Sequence, residues 1–169
     1  MMKRIHVLMT ALLALLLALG LTACGGDTST DQQGEPDTPK TVDLAVLRDQ
    51  IKADCDIQDA LDVDAAQLES LYGISADQVA AAASFTASSG AAFPQEIVMV
   101  QAVDETAAAA VQTKLQERLT TIADQAASYD PDSLALAEAC TVVKDGVYVG
   151  LFFSPDHEAM TSAFEAAVG

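Results

Sequence analysis

Gln95-Glu96-Ile97-Val98-Met99-Val100-Gln101-Ala102-Val103, followed at once by Asp104, is the stretch that decides how this chain folds. Its middle is apolar at consecutive positions, so both faces of the strand need cover, as in a central strand. Asp104 then supplies a helix cap. Beyond it Ala107, Val111, Leu115, Leu119, Ile122 and Ala126 recur at spacings of four, four, four, three and four. That is the buried stripe of a long helix. Lys114 and Arg118 flank the stripe and Glu117 lies away from it. Proline disfavours helix at the residue before it, which predicts an end near Tyr129-Asp130-Pro131. Ser133 to Ala139 reads as one more short helix.

Toward the C-terminus, Thr141-Val142-Val143-Lys144 and Val147 to Phe153 are β-prone runs separated by Asp145-Gly146. Asp-Gly between such runs predicts a hairpin with a type I′ turn, which needs positive φ at both central residues. Ser154-Pro155-Asp156 starts a last helix, with Met160, Ala163, Phe164, Ala167 and Val168 as its buried stripe.

Toward the N-terminus, Leu44, Leu47 and Ile51 mark a helix over 42–54, capped by Asp43 or Thr41. Asp64 opens a second short helix carrying Leu68 and Leu71, with Gly73 as its stop. Ser75 to Ala83 reads as a further helical turn capped by Ser75, leading into a weak strand at 84–88. The alanine-rich stretch 80–92 fits helix or strand. The predicted fold class is α+β. It has a small, mainly antiparallel sheet of two hairpins, a long helix between them, short N-terminal helices and a C-terminal helix, in one domain over 41–169.

The start of the chain is different in kind. Lys3 and Arg4 precede an apolar run from Val7 to Leu21, broken only by Thr10 and Gly20. A basic start, an apolar core and small residues before a cut describe a signal peptide over 1–23. Such a run spans about 22 Å as helix, short of the roughly 30 Å hydrocarbon core of a bilayer. Leu21-Thr22-Ala23-Cys24 resembles the lipobox of bacterial lipoproteins. The resemblance implies cleavage between Ala23 and Cys24 and a diacylglycerol on the Cys24 thiol, with palmitate-like chains. Two acyl chains anchor stably where one is marginal. Residues 24–40, rich in Gly, Pro and polar side chains, have no face to bury and read as a disordered linker. Its sixteen residues after Cys24 would reach roughly 22 Å on average and about 55 Å when stretched.

Removing residues 1–23 takes away Lys3 and Arg4 and moves the net charge from −17 to about −19. Nucleic acid is excluded as a partner, since no basic stripe is available to neutralise phosphates. A domain so acidic would not lie flat on anionic lipid by itself. Solubility is the simplest meaning of the charge. A basic partner or loosely held divalent cations would be its functional meaning.

The folded part resembles the bacterial lipoprotein family catalogued as domain of unknown function 4358. The resemblance is carried by Leu71-Tyr72-Gly73-Ile74, by Glu96-Ile97-Val98-Met99-Val100 with Asp104 following, and by Arg118-Leu119 and Tyr129. It continues through Tyr148-Val149 and Phe152 to Ser154-Pro155-Asp156, spanning about 43–168. It implies export and anchoring, and it brings no activity and no catalytic residues.

Little in the chain points to catalysis. His157 is the sole histidine once His6 leaves with the signal, so the usual multi-His zinc site is out of reach. Ser154 and Asp156 are too close in sequence to His157 to make a triad, and no Gly-x-Ser-x-Gly occurs. The acidic run Asp54, Asp56, Asp59, Asp62, Asp64 lacks the glycine and glutamate of a calcium loop, and Asp130 with Asp132 fails the same test. Cys55 and Cys140 have no CxxC spacing. Export permits a disulfide between them, while two buried thiols are the favoured reading. Glu96 and Arg118 stand out, either as a structural ion pair between helix and sheet or as a ligand-gripping pair in a groove. Tyr72, Tyr129 and Tyr148 read as core-edge residues.

The expected protein is therefore not an enzyme and carries no cofactor, metal or catalytic residue. It is expected to be a binding or interaction module on the extracytoplasmic face of the cell membrane. Its partners would be the membrane, through Cys24, and an unidentified envelope protein or ligand. A carboxylate-dependent hydrolase or wall-modifying enzyme is the alternative, and a purely structural envelope component the third.

Overall fold

The computed structural model describes residues 41–169. The expected signal peptide, Cys24 and the linker lie outside the described residues. The elements run α1 (Leu44–Asp54), β1 (Ala60–Val63), α2 (Ala65–Tyr72), a 3-10 turn (Ala76–Gln78), β2 (Val79–Ala82), β3 (Ser84–Ala87) and β4 (Gln95–Ala102). They continue with α3 (Glu105–Ala126), α4 (Pro131–Ala139), β5 (Val142–Asp145), β6 (Tyr148–Phe153) and α5 (His157–Val168). The six strands form one antiparallel sheet in the order β1-β3-β4-β6-β5, with β2 lying along β4 beyond β3. The fold is mixed α+β, with the long helix between the two hairpins and a helix at the C-terminus.

β4 is central because both of its faces are covered. Val98, Val100 and Ala102 pack with Val149 and Leu151 of β6 against Leu68 and Tyr72 of α2 and Ala108, Val111 and Leu115 of α3. Ile97 and Met99 point the other way. With Phe85, Tyr148 and Phe152 they meet Leu44, Leu47 and Ile51 of α1 and Met160 and Phe164 of α5. A third cluster joins Ile122 and Ala126 of α3, Ala137 of α4, Phe93 and Phe153. The helix layers thus need the alternation of β4, and an apolar residue at nearly every position satisfies both.

Caps place the starts of α1, α2 and α3 where the sequence predicts them. Asp43 accepts from the amides of Ala45 and Val46, and Asp104 from Ala107. Asp64 and Gln67 form a reciprocal capping box. Asp130 caps α4, so that helix begins two residues before Ser133, with Pro131 in its first turn. Gly73 ends α2 at φ +67, a left-handed conformation costly for a residue with a Cβ. Gly150 is needed for another reason. An added Cβ would stand 2.8 Å from the Phe152 ring and 3.3 Å from the Phe164 ring, which pack edge-to-face.

Several expectations are corrected. Ala60–Val63, inside the acidic run, is an edge strand paired with β3. Residues 79–82 are strand, because pairing with the backbone of β4 overrides the helix preference of alanine. Where β2 gives way to β3, the Ser84 hydroxyl takes over the ladder and accepts from the Met99 amide at 3.2 Å. Helix α2 buries Leu68 and Tyr72, four apart, and leaves Leu71 at 49% exposure. The second hairpin turns at Gly146-Val147 with positive φ only at Gly146, the type II′ pattern in place of type I′. Among the described residues no helix is long and apolar enough to cross a membrane.

Candidate functional site

Glu96 is the second residue of β4, directed at the α3 side of the sheet. It lies between Thr86 of β3 and Phe153 of β6 and is 2% exposed. Arg118 reaches it from the middle of α3. Its Nε donates to Glu96 Oε2 at 3.0 Å, and its Nη2 donates to Oε1. The geometry is a two-pronged charge-assisted pair, and it occupies both carboxylate oxygens. Glu96 holds the Arg118 guanidinium above its ordinary range, chiefly through the hydrogen bond.

Tyr72, the last residue of α2, completes the cluster. Its hydroxyl is buried and makes no hydrogen bond of ordinary geometry. Glu96 is near enough to act on it, but both of that carboxylate's oxygens are directed to Arg118. Burial pushes the phenol well above its usual range, and the negative charge of Glu96 pushes the same way. Lys114, one turn before Arg118, lies over Gly73 at the end of α2. The cluster therefore ties α2, β4 and α3 together. Glu96 and Arg118 line none of the five most pronounced recesses among the described residues. Each oxygen is held by Arg118 and the residue is 2% exposed, so the carboxylate is screened from solvent. The geometry is that of the structural ion pair, one of the two readings the sequence left open.

A second region has the opposite character. At the end of the sheet where β4 begins and β6 ends, three segments surround a recess of about 280 Å³. The loop 88–94 supplies Ser89, Ala91 and Phe93, and α4 supplies Asp132, Ser133 and Leu136. Gln95, Phe153 and Pro155 close it. Its polar neighbours are tied to one another. Ser89 Oγ donates to the Phe93 carbonyl and accepts from the Ala91 amide. Ser154 Oγ donates to Gln95 Oε1 at 2.7 Å, and the Ala92 amide donates to Asp130. Asp130 also accepts from the Ser133 hydroxyl and amide, which hold its carboxyl below the usual range. Tyr129 lies over the Phe93 ring, centroids 6.2 Å apart, and is 64% exposed, so it is not the core-edge residue expected. Tyr148 is buried, and its hydroxyl accepts from the Val42 amide.

The remaining candidates are accounted for locally. The Ser154 hydroxyl also accepts from the Asp156 amide, so it is a strut of the loop before α5 and is fully buried. Asp62 pairs with Arg48 and Lys52 of α1, and Asp64 caps α2. Asp56 holds the positive φ that follows α1 and accepts from Gln58. Among the described residues no three His, Cys, Asp or Glu side chains are grouped to hold a metal ion. Cys55 packs with the α1–α5 core and Cys140 with the Phe93–Phe153 cluster across the sheet, and both are thiols. Burial pushes both above the ordinary thiol range. Phe93 and Leu136 at the recess carry no sequence signal, because one faces it from a loop and the other from a helix with no clear stripe.

Fold and cluster together define a small α+β domain with an antiparallel sheet covered on both faces and an internal Tyr72–Glu96–Arg118 cluster. The chain belongs to the family described as Domain of unknown function (DUF4358), whose model matches residues 53–154. The match takes in all three members of the cluster and the loop 88–94 and α4 sides of the recess, and it leaves out Pro155, α5 and most of α1. No curated protein and no solved structure matches the chain.

Proposed function

We propose that this chain is a lipid-anchored binding module of the cell envelope, held at the extracytoplasmic face of the membrane by Cys24. The observation that carries the anchor is the spacing of Leu21-Thr22-Ala23-Cys24 behind a basic start and an apolar run. A mature charge of about −19 would repel the domain from anionic lipid, so lipid chains supply the attachment. The linker 24–40 lets the domain stand clear of the headgroups. The binding reading is supported by an apolar recess assembled from three segments, with Ser89 and Gln95 hydrogen-bonded within the chain and Asp132 left at its border. Hydrolysis by paired carboxylates has less support. The recess bordered by both Asp156 and Glu158 is made of five consecutive residues and has no opposite wall.

Mass spectrometry of the mature protein tests the anchor, with a diacylglyceryl-modified Cys24 at the N-terminus expected. A free Cys24 thiol or an intact Met1 would overturn it. Binding is tested by native co-purification from membranes, compared with a secreted Cys24→Ala form. Enrichment of a partner is expected. Turnover in a broad hydrolase screen with no enriched partner would overturn the binding reading.

A further inference from the structure

We infer that the recess between loop 88–94, α4 and Pro155 docks an apolar side chain of a partner protein, flanked in that partner by a basic residue. The inference deepens the binding-module reading and rests on it. Leu136, Ala91 and Pro155 present the apolar surface of the recess, and Phe93 and Phe153, 8% and 1% exposed, form the floor beneath them. At about 280 Å³ the space falls at the lower bound for small-molecule pockets and suits a single large side chain. The hydrogen bonds from Ser89 to Phe93, from Ala92 to Asp130 and from Ser154 to Gln95 fix the walls before anything binds. They also engage Ser89, Gln95 and Asp130 within the chain, which leaves the Asp132 carboxylate as the free polar group of the lining. A preformed apolar pocket with an aromatic beside it, here Tyr129, is the ordinary seat of an interface anchor.

Charge selects the flanking residue. Asp130, Asp132 and Asp156 stand at this end of the sheet, and Asp132 borders the recess itself. The Asp132 carboxylate accepts no hydrogen bond from the described residues, so its charge is open to a partner. No lysine or arginine lines the recess. Arg48 and Lys52 are engaged by Asp62, and Arg118 by Glu96. Lys114 lies by Gly73, and Lys144 sits on β5 opposite Val149, four residues along β6 from Phe153. A basic neighbour to the anchoring side chain therefore meets uncompensated negative charge, and an acidic one is repelled.

The test uses the full mature chain in detergent and the peptide acetyl-Gly-Lys-Phe-Lys-Gly-amide. It is compared with the same peptide carrying Glu for both Lys, and with one carrying Ala for Phe. Binding read by NMR shifts should be confined to residues 89–95, 129–136 and 153–156. Affinity should drop at least tenfold for either altered peptide. Ala91→Trp, which fills the recess from an exposed loop position, should abolish the shifts, and Asp132→Asn should weaken binding several-fold. Both variants should unfold within about 3 °C of the wild type. Shifts elsewhere, equal binding of the Glu peptide, or binding untouched by Ala91→Trp would overturn the inference. A natural partner that co-purifies equally with wild type and Ala91→Trp would overturn this site and leave the binding module standing. No enriched partner with either chain, together with turnover in the hydrolase screen, overturns the module itself.

Discussion

Gln95 and Glu96 are neighbours on one strand, yet they serve regions governed by opposite physics. Glu96 turns into the domain, loses nearly all contact with water and is matched by a two-pronged arginine. Gln95 borders the recess, where Leu136, Ala91 and Pro155 reach solvent and the carboxylate of Asp132 has no partner among the described residues. In the first region the chain consumes its own polar groups to hold three elements together. In the second it leaves apolar surface and charge uncovered. The difference teaches where function should be sought. A buried charge that is fully paired is spent on structure, while unpaired charge beside an open apolar recess is available to something else.

The largest expected effect comes from breaking the first region. Arg118→Met should destabilise the domain by about 3 kcal/mol, because it strands a buried carboxylate. That is the low end for such a change, since Arg118 keeps 27% exposure. Urea unfolding measures it, and Glu96→Leu with Arg118→Met should recover most of the loss. A single-variant cost under about 1 kcal/mol would erase the contrast between the two regions.

Tyr72→Phe sharpens the same region. Removing a buried hydroxyl that lacks an ordinary partner should change stability by less than about 1 kcal/mol near neutral pH. At high pH the two proteins should separate. The folded phenol is held above its unfolded value, so its contribution is complete below about pH 10 and falls as pH rises beyond that. Wild type should lose stability there, and the Phe variant should lose less. Parallel alkaline curves would show that Tyr72 does not feel its burial.

A surface pair provides the control. Asp62→Asn removes the partner of Lys52 and Arg48 at an exposed position, and should cost no more than about 1 kcal/mol. The hydrogen bond from Lys52 is the main cause holding the Asp62 carboxyl below its usual range. Its contribution is present above the unfolded aspartate value of about 4 and is lost as pH falls through the lower folded value. An acid titration of thermal stability should therefore be flatter for the variant. The smallest effect belongs to the recess. Asp132→Asn and Ala91→Trp should each shift stability by less than about 0.5 kcal/mol in thermal unfolding. A larger loss would make the recess part of the core and blur the comparison.

Much of the fold was legible before any coordinates. Asp43, Asp64 and Asp104 cap the helices they were expected to cap, and β4, α3 and the second hairpin lie where periodicity placed them. The errors share a cause. Ala60–Val63 and Val79–Ala82 bury little and carry weak preferences, so neighbouring strands decided their state. Tyr72 was seen as a core-edge residue, but no spacing in sequence joins it to Glu96 and Arg118. The recess had no signature at all, since loop 88–94, α4 and Pro155 meet only in the folded chain.

What the sequence determined by itself was local. Caps act within one turn, a buried stripe repeats within one helix, and a signal peptide is read before folding. The tertiary structure alone decided which edge strands paired, that Glu96 would be consumed by Arg118, and that Asp132 would stand unpaired beside an apolar recess. Those outcomes depend on distances between residues far apart in the chain. Backbone hydrogen bonds and buried charges are satisfied by whatever the packing brings within reach.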